Sequence, residues 1–321
     1  MAKIFVTRQI PDTGVALLKR VGHEVVVSAK DGVLTPEELK EALTLTPYDA
    51  LFATLSDRIS GELIDAAPSI RMVANYAVGF DNIDLPALRA RGIAVSNTPG
   101  VLTQAVAEHT IALMFALAKR VVESDRFLRA GKYEGWGPML FLGTELSGKT
   151  IGIVGAGRIG SIVLKTACCI GMKGMYHDIA RNETLEKETG AVFTASLEEL
   201  LGHADVVSLH VPLLDSTKHL INRERLSMMK SSALLINTAR GAVVDEMALT
   251  EALRRDTIRG AALDVFEHEP AVTKGLTELE NVILTPHTAS ATEEARSAMS
   301  VLAAENIIAF FEGAPLPSGI S

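Results

Sequence analysis

A chain of 321 residues that is 48% hydrophobic has apolar surface enough for a sizeable core, and its length suits one large domain or two medium ones, of which two are expected. The formal net charge of −8, with no run of Lys or Arg longer than a pair, excludes a nucleic-acid or anionic-membrane surface, because phosphate binding needs clustered cations. The two cysteines, Cys168 and Cys169, stand side by side in an apolar helical stretch, which excludes a disulfide framework and zinc-ligand spacing and leaves buried thiols in a reducing compartment as the expectation.

The opening "MAKIFVTRQIPD" has no long apolar segment, and no apolar run elsewhere reaches the ~18 residues that a membrane span needs. A soluble, cytoplasmic protein is expected. In chain order, "KIFVTR", "HEVVVS", "ALFAT", "IRMVANYAVG" and "GIAVSNTP" read as strands, with helical segments such as "TPEELKEAL" between them. This alternation is that of a parallel sheet covered by helices on both faces. Next comes "TPGVLTQAVAEHTIALMFALAKRVVESDRFLRAG", Thr98 to Gly131, whose apolar spacing from Val106 through Val122 predicts one long connecting helix.

From Thr150 a second series follows: "TIGIVGAG", "GMKGMYHD", "AVFTA", "DVVSLHVP", "ALLINTAR", "RGAALDVF" and "NVILTP". The class is therefore α/β, with two doubly wound, Rossmann-like parallel-sheet domains and a cleft between them. The amphipathic tail "ATEEARSAMSVLAAENIIAFFEG" has room to cross back to the first domain. The boundaries expected are 1–98 with 287–321 for a flavodoxin-like substrate domain and 99–286 for a dinucleotide domain.

"GIVGAGRIG" sets Gly155, Gly157 and Gly160 in G-x-G-x-x-G spacing between an apolar strand and a helical run. In that context Gly155 permits the tight turn, Gly157 lets the backbone approach a pyrophosphate, and Gly160 allows close helix–strand packing. Asp178 follows about 20 residues on, at the end of the next strand, where a carboxylate can accept hydrogen bonds from ribose hydroxyls. That favours NAD. Arg181, three residues further, can accommodate a 2′-phosphate, so NADP stays open.

Three more residues stand at strand ends on the carboxyl side of the second series: Arg240 after "LLINTA", Glu269 after "ALDVFEH" and His287 after "VILTP". Strands of one parallel sheet end on one side, which is where ligands bind in open α/β sheets. A guanidinium there offers a rigid fork of donors to a carboxylate or polarised carbonyl. Glu269 beside His287 would orient the ring and favour its protonated form, so the pair could give a proton to an oxygen as hydride reaches the neighbouring carbon. Gly241 would let the chain turn sharply away behind Arg240. Ordinary roles remain for each: Arg240 paired with Asp264 or Asp245, Glu269 as surface charge in "EHEP", His287 capping a loop. No cluster has metal-ligand spacing, and no metal is expected.

At this point the sequence resembles the D-isomer-specific 2-hydroxyacid dehydrogenases over nearly its whole length, through "NYAVGFDNIDL", "KTIGIVGAGRIG", "LINTARGAVVDE", "AALDVFEHEP" and "NVILTPHTAS". Within that family it is most similar to the glyoxylate/hydroxypyruvate reductases and 2-ketogluconate reductases. The resemblance implies NAD(P)H-dependent reduction of a small 2-oxo acid to the D-2-hydroxy acid, with Arg240 binding the oxo acid, His287 as acid/base and Glu269 as its partner. It also implies substrate contacts from Val78, Gly79 and Trp136. Cofactor contacts would come from Thr103, Arg158, Ile159, His210, Val211, Pro212, Thr217, Thr238, Ala239, Arg240, Asp264 and His287, besides the three glycines and Asp178. Trp136 in "GWGPM" matches a tryptophan that reaches into the neighbouring subunit's site, which implies a homodimer; the other reading is a core tryptophan. Two alternatives are weighed beside this one. "AGKYEGWGPMLFLGTEL" also resembles phosphite dehydrogenases, but the lysine of that branch falls at Val78 here. An NAD-sensing co-repressor or scaffold of the same fold would need partner-binding extensions, and the sequence ends soon after its last helix.

Overall fold

The computed structural model describes residues 1–320. They form two compact units, 1–102 with 291–320, and Thr103–Ser290. Both crossings fall four residues later than the expected boundaries at 98 and 286, and His287 therefore belongs to the second unit. The cause is local: Asp264 of that unit accepts the Thr288 and Ala289 N–H groups at 2.8 Å each, and its carbonyl takes the His287 N–H.

In the first unit, β1 (Lys3–Val6), β2 (Glu24–Val27), β3 (Ala50–Thr54), β4 (Met72–Tyr76) and β5 (Ala94–Ser96) form one parallel sheet in the order β2-β1-β3-β4-β5. Every residue of β3 and β4 is buried, as expected of central strands covered on both faces. The helix Pro36–Leu45 begins at a capping box in which Thr35 and Glu38 satisfy each other's backbone N–H. It is the "TPEELKEAL" segment.

In the second unit, β6 (Thr150–Val154), β7 (Lys173–His177), β8 (Val192–Phe193), β9 (Val206–Leu209), β10 (Leu234–Asn237), β11 (Gly260–Leu263) and β12 (Val282–Leu284) form a parallel sheet ordered β12-β11-β10-β9-β6-β7-β8. The order reverses between β6 and β9, a topological switch point of the kind that binds ligands at its carboxyl edge. Alternate residues bury opposite faces. Val207, Leu209 and Leu235 pack with Leu200 and Leu249 on one side, while Ile153, Val206 and Ile236 pack with Met114 and Leu164 on the other. Each such side chain contributes roughly 1.5–3 kcal/mol by leaving water.

The long helix expected over Thr98–Gly131 is two helices, Thr103–Ala118 and Val121–Arg129. Arg120 turns left-handed between them at φ 54. The returning chain explains the break, because Thr144 donates its N–H to the Ala118 carbonyl at 2.7 Å. Gly143 also lies so close that a Cβ there would sit 2.5 Å from that oxygen. The expectation of buried thiols needs correction too: Cys169 is exposed and Cys168 half-buried. Val163, Leu164 and Ala167 occupy the sheet-facing seam of the helix Arg158–Cys169, and its last residues fall outside that seam. No helix among the described residues is long and apolar enough to cross a membrane.

Candidate active site

The turn after β6 carries the glycine fingerprint, and two of its glycines have clear physical reasons. Gly155 has φ +94, and a Cβ on it would lie 2.8 Å from the His210 carbonyl, so neither the conformation nor the space admits a side chain. On Gly160 a Cβ would lie 2.1 Å from the Gly155 oxygen. At Gly157 a Cβ would meet nothing within 4 Å; the space over the helix start is open. Gly157 caps the helix Arg158–Cys169 with no side-chain hydrogen bond, which leaves the first-turn N–H groups and the positive end of the helix available to a pyrophosphate. This cradle fits a dinucleotide. Arg158 and Ile159 are its first helical residues.

Asp178 stands one residue past β7. Its Oδ2 accepts the Ala156 N–H at 2.7 Å and its Oδ1 the Ile179 N–H at 2.6 Å, so the acid is bonded to the fingerprint turn itself. Asp178, Ala156, Arg181 and Asn182 line an open depression of about 480 Å³. Arg181 is engaged there by Glu186, its Nε and Nη2 donating at 2.8 and 2.7 Å. That hydrogen bond, helped by the Tyr176 hydroxyl, lowers the Glu186 carboxyl to about 2.

After β9, His210 donates its N–H to the Val154 carbonyl, which joins this loop to the fingerprint strand. Burial pushes its ring down to about 3, so it is neutral, with Nε2 2.9 Å from the Ser208 hydroxyl. Val211 and Pro212 follow, and the Thr217 hydroxyl donates to the Pro212 carbonyl at 2.6 Å, shaping that loop. Thr103 opens the helix Thr103–Ala118. From the same helix the Thr110 hydroxyl meets that of Thr238 at 2.9 Å, just beyond β10.

Arg240 follows in extended conformation, with its Nη1 donating to the Ala239 carbonyl and its own carbonyl held by Asn237. Gly241 is required for a different reason from the one expected. It starts a short 3₁₀ turn, and a Cβ on it would lie 1.9 Å from the Phe266 carbonyl carbon. The demand is for close approach of two backbones.

His287 and Glu269 meet. The ring Nδ1 lies 2.9 Å from Glu269 Oε2 and 3.2 Å from Oε1, and Oε1 also accepts the Phe266 N–H at 3.0 Å. Burial would raise the Glu269 carboxyl, but the His287 bond, the Phe266 N–H and the charge of Arg240 bring it below the usual glutamate value. The charge of Arg240 is thus felt at Glu269, while Glu269 and His287 are in direct contact. His287 holds φ +54, a costly conformation for a residue with a side chain. Asp264, fully buried, fastens the segment around it: its carboxylate accepts the Thr285 hydroxyl at 2.6 Å and the N–H groups of Thr288 and Ala289 at 2.8 Å each. His109 Nε2 lies 3.5 Å from the same carboxylate. Sequence reading missed these two as supports for His287; what it offered was a carboxylate directly after an apolar strand.

Val78 and Gly79 lie in the first unit, after β4. Their carbonyls accept from Asn97 and Asn75 at 2.7 and 2.8 Å. Trp136 is 82% exposed, with Met139 and Leu142 exposed nearby, so it is no core residue.

Residues 111–289, more than half of the chain, match the model of the D-isomer specific 2-hydroxyacid dehydrogenase NAD binding domain. A glyoxylate reductase of Thermofilum pendens is 47% identical over 98% of this chain and 93% of its own. The chain belongs to the D-isomer-specific 2-hydroxyacid dehydrogenase family. A Thermus thermophilus protein of known crystal structure superposes with a TM-score of 0.92 at 44% identity, covering 99% of this chain and 100% of that one. An NADPH-dependent glyoxylate/hydroxypyruvate reductase of Sinorhizobium meliloti, crystallised with NADP and malonate, gives 0.88 at 32% identity over 100% and 97%. As a dehydrogenase of this family, the protein uses NAD(P), and the unit Thr103–Ser290 carries the fingerprint turn that fits it.

Proposed function

We propose that the protein reduces a small 2-oxo acid, glyoxylate or hydroxypyruvate, to the D-2-hydroxy acid at the expense of NAD(P)H. The observation that carries this reading is the contact of His287 Nδ1 with Glu269 beside Arg240 at the sheet edge that also bears the fingerprint turn. Bound NAD(P)H supplies a hydride to the carbonyl carbon. Arg240 presents its planar fork of donors to the oxo acid, where a lysine would be a less specific point charge. Glu269 accepts at Nδ1 and so assigns the exchangeable proton to Nε2, which gives it to the oxygen in reduction and takes it back in oxidation. Backbone donors of Val78 and Gly79 for the substrate carboxylate belong to this reading and rest on the family resemblance. The exposed Trp136, Met139 and Leu142 suit a homodimer face, and two free thiols suit the cytoplasm.

The test is a panel of glyoxylate, hydroxypyruvate, 2-ketogluconate, pyruvate and phosphite with both cofactors. The highest kcat/KM is expected for glyoxylate or hydroxypyruvate; turnover of phosphite alone, or of nothing, would overturn the reading.

A further inference from the structure

Glu246 is a carboxylate that the proposed chemistry does not use and that water barely reaches, at 1% exposure. It is the first residue of the helix Glu246–Arg254, behind the N-cap Asp245. An acid in a helix's first turn gains from the dipole while remaining in solvent. Sealing it in is costly unless its oxygens find donors. The donors come from a single stretch of chain: Oε1 accepts the Glu267 N–H at 2.5 Å, and Oε2 the Thr273 hydroxyl at 2.6 Å. Between those two anchors lies Glu269.

We propose that Glu246 is a positioning residue for the acid–base pair, a buried clamp that grips both ends of the segment Glu267–Thr273 and so sets Glu269 against His287. The inference rests on the assignment of Glu269 and His287 made above. Three further contacts restrain the same segment and make the clamp's effect directional. Gly241 presses against the backbone of Phe266 and Glu267. The Glu267 carboxylate meets His219 Nε2 at 2.6 Å, and Phe266 donates its N–H to Glu269. Phe266 and Glu267 are adjacent, so a shift at the Glu267 anchor moves the very N–H that orients the Glu269 carboxylate. Misplacement of a catalytic group by about 1 Å costs up to about 100-fold in rate.

A double-mutant cycle tests this, with steady-state turnover of glyoxylate and fluorescence titration of NADH on the full chain. Glu246→Ala should lower kcat about 10- to 100-fold and leave the NADH Kd within about twofold. In a Glu269→Gln background the same replacement should change kcat less than about twofold, since the group it positions is already lost. Glu246→Gln should restore most of the rate, because its amide can accept from Glu267 and donate to Thr273. Should Glu246→Ala not fold, Thr273→Val removes one anchor from a half-buried position and must show the same dependence on Glu269. Equal losses in both backgrounds, or NADH affinity falling in step with kcat, would overturn the clamp. If Glu269→Gln alone turns over normally, the acid–base assignment fails and takes the clamp with it. A slowed Glu269→Gln with additive losses defeats the clamp alone.

Discussion

Asp178 and Glu269 are both carboxylates just beyond the carboxyl ends of strands in one sheet, and they are held in contrasting ways. Asp178 takes main-chain N–H groups of Ala156 and Ile179 and borders an open depression. Glu269 meets a histidine ring in a left-handed conformation, on segments fastened by the buried carboxylates of Asp264 and Glu246. The proposed tasks account for the difference. Recognition of a ribose tolerates small displacement, because hydroxyl hydrogen bonds form over a range of geometries; proton transfer during hydride arrival does not. On the proposed assignment, the sheet edge is densely hydrogen-bonded where bonds would change and open where a ligand would be read.

The largest expected break in that comparison is His287→Ala. Removing acid–base help should lower kcat by at least about 100-fold, with NADH titration nearly unchanged, since the fingerprint cradle is untouched. A matching loss of NADH affinity would mean that the catalytic end also supports the cofactor, and the division of labour would fall. Steady-state kinetics beside a binding titration decides it.

How much of this division was readable from residues alone depends on the range of the interactions. The succession of strands and helices that marks parallel sheets, and the fingerprint, are local patterns, since β-branched runs, helix caps and glycine spacing act within a few residues of chain. The positions of Arg240, Glu269 and His287 at strand ends followed from topology. The break at Arg120 did not, because the group that takes the Ala118 carbonyl is Thr144, and nothing near residue 120 announces it. Gly241 was visible as a glycine but not for its reason, the backbone of Phe266 packed against it. Glu246 and Asp264 look like ordinary acids after a turn and a strand; that they are buried, and which N–H groups they satisfy, is decided by chain more than 20 residues away.

A smaller effect is expected at the open end. Asp178→Asn keeps an acceptor for the Ala156 N–H while removing the charge that opposes a ribose 2′-phosphate. The ratio of kcat/KM for NADPH over NADH should rise roughly tenfold, which corresponds to about 1.4 kcal/mol of relieved repulsion. The chemical step with either cofactor should keep its rate at saturation. An unchanged ratio would show that Asp178 supports the turn without reading the ribose, and would make the two carboxylates more alike than their surroundings suggest.

The smallest effect concerns Glu186, which holds Arg181 beside that depression. Its carboxyl is lowered from 4.5 to about 2 by Arg181 and Tyr176. A carboxyl with a depressed folded-state value contributes stability that is complete above the unfolded value and is lost as pH falls toward the folded one. The window is therefore from about 4.5 down to about 2, and within it the wild type should lose Tm more steeply than Glu186→Gln does. Arg181 remains largely exposed, 60% in its side chain, so solvent screens the pair and the gap in Tm between about pH 5 and about pH 3 should be small. Glu186→Gln also frees the guanidinium next to Asp178, and NADPH should gain affinity relative to NADH in the same variant. A change in acid stability with no change in cofactor preference would show that Arg181 braces the turn and plays no part in reading the ribose.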